Sequence, residues 1–141
     1  MKKIGFFFIL FFIQFGCLDI SNPVINKDVQ VQIPLGEEFI LKYQKELKIE
    51  GTNLTIKFSA IPEDSRCPVD VVCVWAGNAH IVLLLNGSDN IDLNTTLPSN
   101  EASYMNTYKI TLLEVQPLPL SRQQIPIEKY EVKLKVEKLQ P

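Results

Sequence analysis

"YEVKLKVEKL", residues 130–139, decides the fold. Val132, Leu134 and Val136 alternate with Glu131, Lys133, Lys135 and Glu137. Side chains on a strand point to opposite faces in turn, so this pattern describes a strand with one dry and one wet face. "NLTIKFSAI" (53–61) repeats the pattern, with Leu54, Ile56 and Phe58 set against Thr55, Lys57 and Ser59. Weaker strand patterns run through "VQVQIP" (29–34), "EFILKYQ" (38–44), "NIDLNTT" (90–96) and "TYKITLLEV" (107–115), with an apolar run at 78–85. Turn signals separate them: Leu35-Gly36, Gly51-Thr52-Asn53, Asn86-Gly87-Ser88-Asp89 and Pro98-Ser99-Asn100. Seven or eight short strands at this spacing predict an all-β, single-domain fold over residues 29–141. It is either a β-sandwich, immunoglobulin-like or Greek-key, or an open barrel.

Two segments resist the pattern. "KYQKELKIE" (42–50) is helical by composition, but its neighbours favour a strand and a turn. "VQPLPLSRQQIPIEK" (115–129) holds three prolines, which cannot donate to a sheet ladder, so it reads as a long connection crossing between sheets.

The N-terminus is of another kind. In "MKKIGFFFILFFIQFGC", Lys2 and Lys3 precede an apolar run from Ile4 to Phe15, the plan of a secretory signal. The run is shorter than the ~20 apolar residues that span a bilayer. Six of the eight phenylalanines lie here, so whole-chain hydropathy overstates that of the remainder. Gly16-Cys17 resembles a bacterial lipobox, in which the cysteine is acylated after cleavage. The expected plan is a lipoprotein signal at 1–16, lipidated Cys17 with a polar tether over 17–28, and then the β domain. Ordinary signal cleavage nearby and an uncleaved anchor are the alternatives.

The formal charge is −2, and loss of Lys2 and Lys3 makes the remainder more acidic. With no basic run, nucleic acid is not an expected partner.

Cysteine arithmetic supports export. The chain has three: Cys17, Cys67 and Cys73. Exported chains pair their thiols, so one lipid-bearing cysteine and one Cys67–Cys73 disulfide account for all of them. Five residues between Cys67 and Cys73 let the chain fold back, and such a ring stabilises by roughly 2–3 kcal/mol in the loop-closure treatment. Taken as extended, "CPVDVVCVWAGNA" (67–79) puts Val71, Cys73 and Trp75 on one face and Val72, Val74 and Ala76 on the other. Two apolar faces predict a centrally buried strand, with Trp75 in the core near the disulfide and Gly77 at a bulge or tight hairpin.

"SRCPVDVVCVWAGNA" (65–79) also resembles a motif of small exported bacterial proteins, many of them lipoproteins without an assigned activity. The matching positions are Ser65-Arg66-Cys67-Pro68, Val71, Cys73-Val74-Trp75-Ala76-Gly77 and Ala79. Tyr108, Ile110, Leu112, Val115, Pro117, Pro119, Tyr130 and Val132 fit the same group. The resemblance implies an envelope β domain and supplies no substrate.

Catalytic signals are sparse. A nucleophile triad needs a histidine held by a carboxylate, and the sole histidine, His80, reads as a surface or edge residue without a Gly-x-Ser-x-Gly elbow to accompany it. Cys67, Cys73 and His80 match no usual zinc spacing, so neither a metal nor any other cofactor is expected. Glu63, Asp64 and Asp70 would suit a carboxylate-based hydrolase, but three acids on a polar loop more commonly form a solvated face. Arg66 beside Asp64 and Asp70 offers a fixed guanidinium for a partner, or else an internal ion pair. The candidate binding loop therefore comprises Asp64, Arg66, Asp70 and Trp75. The expected role is a non-catalytic binding or structural module, facing the periplasm or cell surface and held to the membrane by its lipid. The alternatives are an inhibitor of an envelope or host hydrolase, presenting "EDSRCPVD" (63–70), and a carboxylate-based hydrolase.

Overall fold

The computed structural model describes residues 31–96 and 99–140. The expected signal, Cys17 and tether lie outside the described residues, as do Val29, Gln30 and Pro98. The described chain is all-β, with strands β1 (Gln32–Ile33), β2 (Glu38–Lys42), β3 (Glu46–Ile49), β4 (Thr55–Asp64), β5 (Ala79–Leu85), β6 (Asp89–Asn94), β7 (Glu101–Tyr104), β8 (Tyr108–Gln116) and β9 (Glu131–Lys138). A single 3-10 turn, Ile127–Lys129, precedes β9.

The strands form two sheets, ordered β1-β3-β4-β5-β6 and β2-β9-β8-β7. Their apolar faces meet in one core, as in a β-sandwich or open barrel. The alternation in β9 is realised as read: Val132, Leu134 and Val136 are buried. Lys133 bonds Glu38 across to β2, and Lys135 meets Glu137 at 2.8 Å on the outer surface. β4 places Ile56 and Phe58 inside, and the Tyr43 and Phe58 rings meet in a T-shaped pair with centroids 5.5 Å apart and planes at 89°. The segment at 42–50 is not helical. It turns at Gln44 (φ 60°) and continues as β3. The hairpins joining β5 to β6 and β7 to β8 use Asn86-Gly87 and Met105-Asn106, all four at positive φ as a type I′ turn requires. Strand β7, "EASY", has no alternation to announce it and forms by pairing with β8.

Two expectations about the path of the chain fail. Residues 71–76 form no strand, and Val72, Val74 and Trp75 are almost wholly exposed, at 100, 94 and 77%. The expected core tryptophan is therefore on the surface. No neighbouring strand receives this segment, because β5 begins only at Ala79 and pairs β4 directly from there (Asp64↔Ala79). The proline-rich connection, moreover, does not cross between sheets. β8 and β9 are antiparallel neighbours in one sheet, so 117–130 leaves that sheet and returns to it. The crossings occur between β1 and β2, β2 and β3, and β6 and β7.

Candidate functional site

One end of the molecule is built from the 65–78 loop and the 117–130 connection. β4 delivers the first, and two irregularities in its pairing with β5, between Phe58 and Ala60 and between Ala60 and Glu63, re-aim the strand before Asp64. The loop closes on itself at a narrow neck. Ser65 N–H donates to Asn78 O at 2.7 Å, and Asn78 N–H donates to Ser65 Oγ at 3.2 Å. Gly77 explains itself here. A Cβ on it would stand 1.6 Å from Ser65 O, so the residue serves close backbone approach rather than the expected bulge or hairpin. The Asn78 side chain fastens the neck to the end of β6. Its amide donates to Asn94 Oδ1 at 2.7 Å, and its oxygen accepts from Thr96 N–H at 3.2 Å.

Beneath the loop, Asp64 and Arg66 pair through two 2.7 Å bonds, from Nε to Oδ1 and from Nη2 to Oδ2. The two side chains are only 10 and 11% exposed. The same guanidinium donates to Val115 O and, at 2.9 Å, to Pro117 O. Tyr130 O–H donates to Asp64 Oδ2 at 2.9 Å. A planar cation with a fixed fork of donors thus ties β4 to the end of β8, and Asp64 in turn holds Tyr130 at the start of β9. Burial alone would raise the Asp64 carboxyl, but hydrogen bonds from Arg66 and Tyr130, with the guanidinium charge, hold it below the usual carboxylate range. Burial and the adjacent Asp64 carboxylate push the Tyr130 phenol up to about 12.

The Cys67–Cys73 disulfide closes the middle of the loop, with Cα atoms 6.0 Å apart. Asp70 is engaged elsewhere: Ser121 donates to its carboxylate from N–H at 2.9 Å and from Oγ at 2.7 Å. Those bonds hold Asp70 below the usual carboxylate range. Val69 N–H donates to Pro119 O at 3.0 Å, so loop and connection form one body.

Of the four binding-loop residues read from sequence, Asp64 and Arg66 come together as an internal pair. Asp70 anchors the flank, and Trp75 stands free at the tip. Val69, Val71, Val72 and Val74 join it in an exposed apolar cap, and the neighbouring connection exposes Leu118, Leu120 and Ile127. Of "EDSRCPVD" (63–70), the segment expected to project, Glu63 and Asp64 end β4 and Ser65 and Arg66 form the base of the loop. Sequence reading missed Tyr130 and Asn78 as supports, since each acts across a long sequence separation.

A cavity of about 440 Å³ lies beside the pair, lined by Ile61, Asp64, Pro119, Ile125, Ile127 and Tyr130. Its one carboxylate is the one already held by Arg66 and Tyr130. His80 does meet an acid, Nε2 lying 2.7 Å from Asp92 Oδ1, but the pair sits on the outer face of β5 and β6, and neither residue lines this cavity. Among the described residues, no three histidine, cysteine or carboxylate side chains gather as a metal site, and no helix is long and apolar enough to cross a membrane. Against protein-family models, curated proteins and solved structures, the chain gives no match.

Proposed function

We propose that the chain is a lipid-anchored, non-catalytic binding module of the bacterial cell envelope, and that its contact surface is the 69–75 cap. One observation carries this reading: apolar side chains are displayed on a loop whose every support is internal. Asp64, Arg66, Asp70, the disulfide and the Ser65–Asn78 neck all hold the cap in place, and none of them is left over for chemistry. Preorganised display of an aromatic and several aliphatic side chains is how binding surfaces limit the entropy lost on contact. The signal-like N-terminus, the likeness of Gly16-Cys17 to a lipobox and the resemblance of 65–79 to exported bacterial proteins support the location.

Intact mass of membrane-extracted protein tests the anchor. The expected mass is that of residues 17–141 plus acyl chains, minus two hydrogens for the disulfide. An unacylated product refutes the anchor, and free thiols at Cys67 and Cys73 refute the disulfide. A photo-crosslinker at position 74 tests the contact surface in cells. An adduct with a different protein is expected there, and none from a crosslinker placed at Ile40 on the exposed face of β2. Equal labelling from both sites refutes the assignment. The same projection supports a second reading, inhibition of an envelope or host hydrolase, which a panel of proteases and lysozymes tests by loss of their activity.

A further inference from the structure

We infer that the free edge of β2 pairs with β2 of a second copy of this chain, antiparallel and about a two-fold axis at Ile40, so that its sheet continues through the interface. The inference rests on neither the lipid anchor nor the 69–75 cap. An unpaired strand edge is a row of backbone donors and acceptors, and folded proteins ordinarily shorten, cover or charge it. At one side of the molecule the edges are covered: β6 and β7 lie together, and Asn94 N–H donates to Ser99 O at 2.9 Å. At the other side β1 has two residues and runs into Pro34, which has no N–H to offer. β2 is different. It has five residues without a proline, it ends its sheet, and among the described residues it pairs β9 alone.

The register says which groups β2 leaves free. Tyr43 N–H donates to Tyr130 O at 2.9 Å, and antiparallel pairs alternate between bonded and non-bonded. Leu41 and Phe39 therefore turn their N–H and C=O groups to β9, while Glu38, Ile40 and Lys42 turn theirs outward. Of these, Lys42 O is taken by Lys45 N–H at 3.0 Å. The side chains of the same three residues are exposed. With Ile40 laid opposite Ile40 of the second copy, Ile40 N–H reaches Ile40 O and Lys42 N–H reaches Glu38 O, each in both directions. Strand addition at an open edge draws its affinity from such main-chain bonds.

Charge selects this register and a second copy as the occupant. With the axis at Ile40, Glu38 stands opposite Lys42 of the other copy on both sides. An axis at Glu38 or at Lys42 would set like charges against each other, which destabilises an antiparallel pair. Within one copy Lys42 already lies opposite Glu131, and Glu38 opposite Lys135. The row across the interface then reads Glu131, Lys42, Glu38, Lys135, alternating in sign throughout. Phe39 and Leu41 stay in their own cores, and Ile40 meets Ile40 on the outer face. Because each copy offers the same patch, the assembly closes at two. An edge this short buries less than the about 1,200 Å² of a standard interface, so pairing is reversible and rises with concentration.

A photo-crosslinker at position 40 of the full chain, activated in intact cells, tests the pairing. The expected product has twice the mass of the chain, with residues 38–42 of both copies joined. Glu38→Lys and Lys42→Glu, each alone, oppose like charges and should lose most of that product. Coexpressed, with an epitope tag on one of them, the two variants oppose Lys to Glu at both ends and should recover it as the mixed pair only. That recovery would show that both variants fold. No doubled product, a product indifferent to the single changes, or a loss that coexpression does not repair overturns the inference. An adduct from position 40 to residues 17–30 of the same chain, or to a different protein, also overturns it and gives the edge to that occupant.

Discussion

Two apolar runs lie almost side by side in the chain, "VVCVWA" at 71–76 and "AHIVLLL" at 79–85, and they meet opposite fates. The second is β5, paired on one side with β4 and on the other with β6, with Ala79, Ile81, Leu83 and Leu85 fully buried. The first has no partner strand, and its side chains face outward. Hydrophobicity does not separate them. What separates them is the neck between Ser65 and Asn78, which closes the loop just before β5 starts and hands β4 straight to Ala79. A run of apolar residues is buried only if backbone pairing delivers it to the core.

The contrast should be visible in stability. Leu83→Ala, in the middle of β5, is expected to cost about 2–5 kcal/mol through lost burial and a cavity. Val72→Ala should change stability by no more than about 0.5 kcal/mol, as for most exposed sites. Denaturant melts of the two variants check this, and similar losses from both would erase the distinction.

Arg66→Ala comes next, at roughly 2–4 kcal/mol, since it strands the Asp64 carboxylate and two carbonyls. The pair also sets a pH dependence. Because the folded protein holds Asp64 below its unfolded range, the stabilisation is present at neutral pH and is lost as acid titrates the folded carboxyl. Tyr130 acts at the other limit: its contribution is complete below its ordinary value of 10.0 and is lost as pH rises through about 12. Thermal melts across pH should show both flanks, and Asp64→Asn should flatten the acid one.

Gly77→Ala attacks the neck itself and is expected to cost about 1–3 kcal/mol from overpacking against Ser65. Limited proteolysis within 67–76 should accelerate in this variant, and an unchanged digestion pattern would mean the neck can yield freely. Reduction of Cys67–Cys73 removes a constraint of roughly 2–3 kcal/mol in the loop-closure treatment, and its effect should be confined mainly to the loop.

How far the sequence could be read follows from the same comparison. β9 and β4 were legible because each carries a polar face that says which way is out. β7 was not, being four residues whose pairing with β8 is fixed by the Met105-Asn106 turn rather than by their own pattern. The 71–76 run misled because both its faces are apolar, which leaves alternation with nothing to orient. The disulfide was legible from counting thiols, and the Asp64–Arg66 pair from their closeness in sequence. Tyr130, 66 residues from Asp64, left no local trace of its role. The return of 117–130 to its own sheet was equally hidden, because prolines mark a connection without saying where it leads.

Amide hydrogen exchange across 71–85, followed by mass spectrometry on the full chain, tests the central contrast most directly. Among the described residues, the amides of 72–76 donate to no backbone carbonyl, whereas β5 is bonded on both sides. Fast exchange is expected over 72–76, with 79–85 among the slowest segments of the protein. Comparable protection of the two segments would place 71–76 in the sheet and contradict the exposed cap on which the functional reading stands.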